Sequence, residues 1–292
     1  QITQAISKLY WIKKHQPEVW AKVTRIATSM DYALYKFGAD EFAADGSSCG
    51  RLGLLAVDDY KWSPKMMKIL GVDESMLPRV AKLGEVIGHV KEDISALTGL
   101  PVGCPLCVGA MDCCCSAFGT GNYADGEVSM VVGTYGAIFV TSHKKVRDPY
   151  GLMMIKPYVP TQTWTIEGST SCAASSYRWF RDVFCELEKA AGAASGISSY
   201  DMINNEIASV PPGANGVTYL SYLQGADGVR ANPNCAGGFA GLRLGTTKAE
   251  MARAVMEGIC YELKVVLDHQ LKCGVTLSGI RLAGGATRSP MW

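Results

Sequence analysis

Asp112 is the residue whose position most favours acid–base chemistry. It follows the apolar run Pro105-Leu-Cys-Val-Gly-Ala-Met111, which predicts a strand over 106–111, and the small residues after it predict the start of a helix. Ligands bind at strand ends in open α/β sheets, and an ionised carboxylate there can take a proton from an attacking hydroxyl. The structural alternative for Asp112 is a helix N-cap.

Two glycine-containing turns offer contacts to a phosphate. Gly133-Thr134-Tyr135-Gly136 joins two predicted strands, and its backbone N–H groups and the Thr134 hydroxyl are potential donors. Gly284-Gly285-Ala286 lies between a predicted strand and a predicted helix start, where glycine lets a ligand approach the backbone closely. Each turn taken alone is better explained as an ordinary connection.

The 11 cysteines raise the question of a metal or redox site. Cys104-x-x-Cys107 lies near Cys113-Cys-Cys115, but the histidines are scattered at positions 15, 89, 143 and 269. Structural zinc sites pair two cysteine knuckles or add histidines at short spacing. We therefore expect no metal site from this pattern, and the odd cysteine number indicates free thiols in a reducing compartment.

Helical and strand-like segments alternate along the chain, which predicts an α/β fold. Four helices are predicted. The first follows from the spacing of Ile2, Ile6, Leu9 and Ile12, and the second covers 64–70 after Ser63. The third covers 173–188, with an apolar face of Tyr177, Phe180 and Phe184, and the fourth runs from the capping box Thr247-x-x-Glu250 to Gly274. The predicted strands cover 128–132, 137–140, 164–167, 217–223 and 280–283.

The length of 292 residues is enough for two ordinary domains. A polar turn over 123–127 precedes the strands on either side of Gly133, and it places the predicted domain boundary near residue 124. We therefore expect one domain over 1–124 and a second over 125–292.

Composition excludes several classes of partner. Hydrophobic residues make up 48% of the chain and charged residues 19%, which is typical of a well-buried globular protein. The net charge of +1 gives no basic field for nucleic acid or an anionic membrane surface. No apolar run approaches the roughly 18 residues that a bilayer span needs. We expect a cytoplasmic protein with neither nucleic acid nor membrane as a partner.

Two motifs of other enzyme classes do not occur. The sequence has no GxxxxGK[ST] and no HExxH, so phosphate-loop NTPases and zinc proteases lose their main support. Both ends indicate that further segments exist, since Gln1 replaces an initiator Met. Ser289 and Pro290 predict the N-cap and first residue of a helix that only two residues follow.

The segment 237–257 carries the most specific pattern. Gly237-Gly-Phe-Ala-Gly-Leu242, seven further residues, and Glu250-Met-Ala-Arg-Ala-Val-Met-Glu257 resemble in full the second signature of the FGGY carbohydrate kinases. Lys8-Leu-Tyr-Trp-Ile12 with Lys14-His15 resembles the end of the family's first signature, although Thr3 and Ala5 depart from its start. Further similar landmarks, in chain order, are 109–112, 133–134, 177–182 and 282–286, and the likeness is greatest to xylulokinase-like members.

The resemblance implies an α/β fold of the ribonuclease-H-like, actin-like ATPase type, with two domains, both incomplete here, and a nucleotide cleft between them. It implies ATP and Mg²⁺ as cofactors and a small sugar or polyol as substrate, most simply a pentulose such as xylulose. Carried over by position, Asp112 is the general base, and Gly133 and Thr134 contact phosphates. The positions near the nucleotide are Ala174, Arg178, Gly284, Gly285 and Ser289.

Compared with the family, the sequence lacks the N-terminal Asp-x-Gly-Thr hairpin and the last part of the second domain. We therefore expect the 292 residues alone to be inactive, and we expect a packing partner, either a second copy or a complementing segment, since an open sheet edge otherwise favours aggregation. The alternatives are an actin-like ATPase without a small acceptor and a non-catalytic regulatory module of the same fold. The sequence leaves open which sugar is used.

Overall fold

The computed structural model describes residues 5–159 and 162–292. The chain divides into two compact units. The first comprises Gln1–Tyr123, His143–Lys145 and Ile155–Thr165, and the second comprises Ala124–Ser142, Val146–Met154 and Ile166–Trp292. The sequence predicts a boundary near residue 124 between two domains, and that domain boundary stays a prediction.

The first unit holds seven helices among its described residues, with strands of two to four residues between them. The helices are α1 Ala5–His15, α2 Pro17–Trp20, α3 Ser29–Phe37, α4 Gly46–Arg51, α5 Pro64–Leu70, α6 Glu92–Thr98 and α7 Asp112–Gly119. The strands are β1 Ala43–Ala44, β2 Leu55–Ala56, β3 Lys61–Trp62, β4 Arg79–Val80, β5 Val86–His89 and β6 Pro105–Cys107. They pair as β1 with β4, β2 with β3, and β5 with β6.

Local capping sets the helix starts that the sequence predicts here. The Ser63 side chain accepts a hydrogen bond from Met66 N, and Pro64 stands at the first position of α5, as expected. In α1, Ile6 and Leu9 pack against a core built around Leu54, Leu70 and other buried residues. Ile2, the first residue of the predicted pattern, lies outside the described residues.

The strand predicted over 106–111 is shorter than expected. Strand β6 ends at Cys107 and pairs antiparallel with β5, and an irregular segment separates it from α7. Asp112 therefore does not lie at the end of a strand in an open parallel sheet. It is the first residue of α7, whose N-cap is Met111, so the N-cap alternative for Asp112 is also wrong.

The second unit is built around the longer strands and helices. The strands that lie wholly in it are β7 Glu127–Val132, β8 Gly136–Ser142, β11 Thr218–Leu220, β12 Gly238–Ala240 and β13 Gly279–Ala283, and two more belong partly to it, β9 Met154–Pro157 and β10 Trp164–Thr170. The helices are α8 Ala174–Phe184, α9 Glu186–Ser195, α10 Ser199–Ile207 and α11 Lys248–Lys272. A short 3₁₀ helix covers Gly285–Arg288. The chain crosses between the units within β9 and β10.

The main sheet has the strand order β13-β7-β8-β10-β9. Strand β7 pairs parallel with β13 and antiparallel with β8, so the sheet is mixed. The predicted strands on either side of Gly133 are confirmed as β7 and β8. The fully buried residues Val128, Ile138 and Ile166 form the apolar face of the sheet.

Helix α11 is the long helix that the capping box predicts. The Thr247 side chain accepts a hydrogen bond from Glu250 N, and the Glu250 side chain accepts one from Thr247 N, which together satisfy two N-terminal donors. The fully buried Gln270 donates through Nε2 to the carbonyls of Ile138 and Ile166 at 3.0 Å each. This side chain fixes the C-terminal half of α11 on strands β8 and β10.

One helix prediction is wrong in detail. The helix expected over 173–188 breaks at Cys185, whose φ of −121° and ψ of 48° are not helical, and Phe184 is 43% exposed rather than on the apolar face. Cys185 itself is fully buried, so tertiary packing overrides a locally continuous helical pattern. Ser289 is the C-cap of the 3₁₀ helix in an extended conformation, and the further helix expected to begin there stays a prediction.

The segment 237–257 has a structural role in the second unit. The Glu257 carboxylate accepts hydrogen bonds from Gly213 N and Arg253 Nε, and Asn215 Nδ2 donates to Glu250. Gly241 has φ of +80°, and a Cβ there would lie 2.2 Å from Gly216 O. The segment therefore holds the turn around Gly216 against the start of α11.

Gly241→Ala is expected to destabilise the second unit, because left-handed strain and the clash with Gly216 O act together. The expected fall in Tm is roughly 3–10 °C, measured by calorimetry. Gly245→Ala is the matched control, since Gly245 has an ordinary φ and nothing within 4 Å of its Cβ position, and its Tm should stay within about 2 °C. Equal effects of the two variants would contradict this explanation.

Candidate functional site

The turn between β7 and β8 forms hydrogen bonds with the first residues of α8. Gly133 O accepts a hydrogen bond from Ala174 N at 2.9 Å, and Thr134 O accepts one from Ser175 Oγ at 2.9 Å. Gly133 N donates to Tyr135 O at 3.0 Å, so the turn itself uses the donor that the sequence offers to a phosphate. The exposed Thr134 side chain lies at the tip of the turn.

Gly284 and Gly285 follow β13 and serve different purposes. Gly284 has φ of +93°, and a Cβ there would lie 2.6 Å from Val132 O, so the packing of the β13 end on β7 requires glycine. Gly285 has nothing within 4 Å of its Cβ position. The open space beside Gly285 belongs to a cavity.

That cavity has a volume of about 460 Å³, in the range typical of small-molecule sites. All its lining residues belong to the second unit. They are Ala174, Tyr177, Ser198, Tyr200, Asp201, Asn204, Gly285, Ala286, Arg288, Ser289 and Trp292. The structure thus brings together three predicted site residues, Ala174, Gly285 and Ser289, whereas Gly133, Thr134, Arg178 and Gly284 are not among the lining residues.

Aromatic rings form one wall of the cavity. The rings of Tyr177 and Tyr200 stack with centroids 5.6 Å apart and an interplanar angle of 24°, and the Trp292 ring meets Tyr177 edge-on at 5.9 Å. Such surfaces suit a planar heteroaromatic ligand. The guanidinium of Arg181 lies 4.5 Å from the Tyr200 ring centroid, while Arg178 is exposed on α8.

Burial sets the protonation of the two phenols. It raises the pKa of Tyr177, with the neighbouring Cys185 as the next contribution, and it also raises the pKa of Tyr200. Both phenols are therefore protonated at neutral pH. The Tyr177 hydroxyl donates to Asn204 Oδ1 at 2.9 Å, which fixes the Asn204 amide at the cavity wall.

Ser289 Oγ is a buried atom without a hydrogen-bond partner among the described residues. A buried hydroxyl left unpaired costs about 1–3 kcal/mol, and Ser289 lines the cavity. A ligand with polar groups would supply the missing partner. The cavity therefore fits a ligand that combines an aromatic ring with hydrogen-bonding groups.

In the first unit, Asp112 presents an exposed carboxylate at the start of α7. Its Oδ1 accepts a hydrogen bond from Cys113 N at 2.7 Å. Met111 N donates to Ser47 Oγ at 3.0 Å, and Ser47 Oγ donates to the buried Asp45 at 2.6 Å. Asp45, which caps α4, thus helps to set where α7 begins.

Lys156 is a residue near this helix that the sequence analysis missed. Its side chain is only 1% exposed, and its Nζ lies 3.3 Å from the Sγ of Cys113. Cys113 is the residue that follows Asp112 in the sequence. Sequence spacing gives no signal for this contact because 43 residues separate the two positions. Sequence spacing also gives no signal that four further residues line the cavity, because they come from separate elements. These are Tyr177, Tyr200, Asn204 and Trp292.

In residues 5–159 and 162–292, the cysteines at 104, 107 and 113–115 do not lie in a group of three potential metal ligands. The expectation that they bind no metal stays a prediction. The 11 cysteines, which all lie in the described ranges, form no disulfide. None of the helices in these ranges has both the length and the apolarity of a membrane span.

Solved structures identify the fold class. The chain superposes on the ligand-bound xylulose kinase from Lactobacillus acidophilus with a TM-score of 0.89 at 23% identity, over 99% of this chain and 57% of that one. The fold is the two-domain, actin-like ATPase fold, as the sequence analysis expected.

Family models then place the chain more closely. Residues 1–119 match the N-terminal domain, and residues 128–292 the C-terminal domain, of the FGGY family of carbohydrate kinases, and the chain belongs to this family. It is similar to the gluconokinase of Bacillus licheniformis, at 28% identity over 98% of this chain and 56% of that protein. It is also similar to the xylulose kinase of Staphylococcus epidermidis, at 26% identity over 98% and 55%. The chain thus spans just over half the length of these relatives.

Proposed function

We propose that this protein transfers the γ-phosphate of ATP to a hydroxyl of a small sugar or polyol. The observation that carries the proposal is the cavity of the second unit, where Ala174, Gly285 and Ser289 meet an aromatic wall. Its size, its rings and the unpaired Ser289 hydroxyl suit a nucleoside. Membership of the FGGY family supports the same donor.

The nucleotide-binding residues are those carried over by position. Ala174, Gly285 and Ser289 contact the nucleoside, and Gly133 and Thr134 lie toward the phosphates, with Gly284 supporting the turn beside them. Arg178 has the weakest support, because it is exposed outside the cavity lining. ATP would supply the phosphoryl group, and Mg²⁺, when bound with it, would neutralise part of the phosphate charge.

Asp112 acts as the general base of the transfer. Its carboxylate is exposed and accepts a hydrogen bond from Cys113 N at the start of α7. It accepts the proton of the sugar hydroxyl as the oxygen attacks the phosphorus. Asp45 and Ser47 keep the first turn of α7 in place while this happens.

A pentulose such as xylulose is the acceptor that we propose. A relative from Staphylococcus epidermidis, at 26% identity, is a xylulose kinase. Gluconate is the second candidate, because gluconokinases match at 28% identity.

The experiment that tests the function is ADP formation by the full-length protein with ATP, Mg²⁺ and a panel of ketoses, polyols and aldonates. One acceptor is expected to raise the rate well above that without sugar. ADP formation independent of every acceptor would instead support an actin-like ATPase. Tight ATP binding without ADP formation would support a regulatory module of the same fold.

A further inference from the structure

Three metal-ligating side chains converge in the second unit, in a group that the kinase function does not use. The ligand atoms of Asp148, His269 and Cys273 all lie within 4.8 Å of one another. They include a carboxylate oxygen, an imidazole nitrogen and a thiol sulfur. In the part of the chain that the structure describes, this is the group of three that meets such distances.

Helix α11 positions two of the three. His269 and Cys273 are four residues apart at its C-terminal end, so their side chains lie on one face. The His269 side chain is 7% exposed, and Cys273 is half-buried. A regular helix therefore holds His269 and Cys273 at this spacing. Gln270, the residue after His269, is hydrogen-bonded to the sheet and fixes this part of the helix.

The loop between β8 and β9 positions the third. Asp148 Oδ2 accepts hydrogen bonds from Leu152 N at 2.6 Å and Met153 N at 2.7 Å, and Oδ1 accepts one from Tyr150 N at 3.0 Å. The Asp148 side chain is only 2% exposed. Its carboxylate is thus oriented by the backbone, with Oδ1 directed at His269 Nε2, 3.1 Å away.

We propose that Asp148 Oδ1, His269 Nε2 and Cys273 Sγ bind a divalent cation of the zinc class. A thiolate and an imidazole favour such cations over the hard Mg²⁺ that serves phosphoryl transfer. Three protein ligands leave a fourth position for water. The site is separate from the proposed nucleotide cavity, whose lining includes none of the three residues.

The distances between the ligand atoms are compatible with a tetrahedral site after a small movement of Cys273. Zinc bonds of about 2.0–2.3 Å place ligand atoms roughly 3–4 Å apart, and the Asp148 to His269 separation of 3.1 Å already falls in this range. Cys273 needs to approach by no more than about 1–2 Å, which its position as the C-cap of α11 permits. On binding, the Cys273 thiol releases its proton to solvent. The His269 proton that Nε2 directs at Asp148 Oδ1 leaves Nε2, and the neutral ring carries its proton on Nδ1 instead, so that Nε2 donates its lone pair to the cation.

The test is titration of the metal-free 292-residue chain with Co²⁺ at pH 7.5, with a phosphine reductant. One equivalent is expected to produce a thiolate-to-cobalt charge-transfer band and the strong visible bands of a tetrahedral site. A tenfold excess of Mg²⁺ should leave these bands unchanged, whereas Zn²⁺ should remove them by displacement. The absence of any thiolate–cobalt band would overturn the proposal.

Variants assign the band to these residues. Cys273→Ser is expected to abolish the charge-transfer band, and His269→Gln to raise the Kd for Co²⁺ by more than about tenfold. Cys260→Ser, an exposed cysteine on the same helix, is the matched control and should bind as the wild type does. A band that survives Cys273→Ser, or that disappears in Cys104→Ser/Cys107→Ser, would place the metal elsewhere and overturn the proposal.

A measurement on the unmodified chain covers the case in which a variant fails to fold. Zn²⁺ is expected to slow alkylation of Cys273 by iodoacetamide at least about tenfold, read by peptide mass spectrometry, while Cys260 reacts at the same rate with and without Zn²⁺. Equal alkylation of Cys273 under both conditions would show that Asp148 and His269 form only a structural hydrogen bond.

Discussion

Asp112→Asn is expected to lower kcat of the proposed phosphoryl transfer by the full-length protein, with its best acceptor, by about 10²–10⁴-fold, because removal of a general base typically costs that much. Asparagine keeps the shape of the side chain and its contact with Cys113 N, so KM for the sugar should change little. The measurement is steady-state ADP formation at saturating ATP, with both kinetic constants determined for wild type and variant.

Asp93→Asn is the matched control for that experiment. Asp93 is also an exposed aspartate in the first turn of a short helix of the first unit, α6, so it reproduces the loss of charge at a helix start. Its kcat should equal that of the wild type. A normal kcat for Asp112→Asn would remove Asp112 as the base, and a raised KM with unchanged kcat would give it a role in sugar binding alone.

Gly285→Val is expected to raise the Kd for ADP and ATP by at least about tenfold, equivalent to about 1.4 kcal/mol. Nothing lies within 4 Å of the Cβ position of Gly285, so the isopropyl group enters the cavity instead of displacing the backbone. The Tm without nucleotide should therefore change little. Calorimetric titration with ADP measures the affinity, and thermal unfolding measures the fold.

Gly284→Ala, a substitution at the residue next to Gly285, tests the stability of the fold, whereas Gly285→Val tests nucleotide binding. The positive φ of Gly284 and the 2.6 Å approach of a Cβ to Val132 O predict a clear loss of stability, of order 1–3 kcal/mol. An unchanged ADP affinity in Gly285→Val would show that the nucleotide does not occupy this cavity. Equal destabilisation by the two variants would contradict the different surroundings of the two glycines.

The pair of glycines also shows how far sequence patterns reach. Both were predicted as nucleotide positions from one motif, yet one is required by backbone geometry and the other lines open space. A motif reports residue type and order, whereas the use of each residue depends on which atoms the fold places beside it. The same limit applies to Arg178, which shares α8 with Ala174 but lies outside the cavity lining.

The sequence by itself determined the local features of this protein. The capping box of Thr247 and Glu250, the N-cap Ser63 and the strands on either side of Gly133 depend on neighbouring residues, whose propensities and hydrogen bonds act over a few positions. The family follows from the long pattern over 237–257, because many positions must match together.

Only the tertiary structure decided what distant residues do together. Tyr177, Tyr200 and Trp292 meet in one cavity wall, Lys156 lies against Cys113, and Asp148 is held beside His269. It also broke the predicted helix at Cys185 and ended β6 before Asp112. The physical reason is that packing and burial of distant segments contribute more free energy than local propensity, and no pattern within a short window records them.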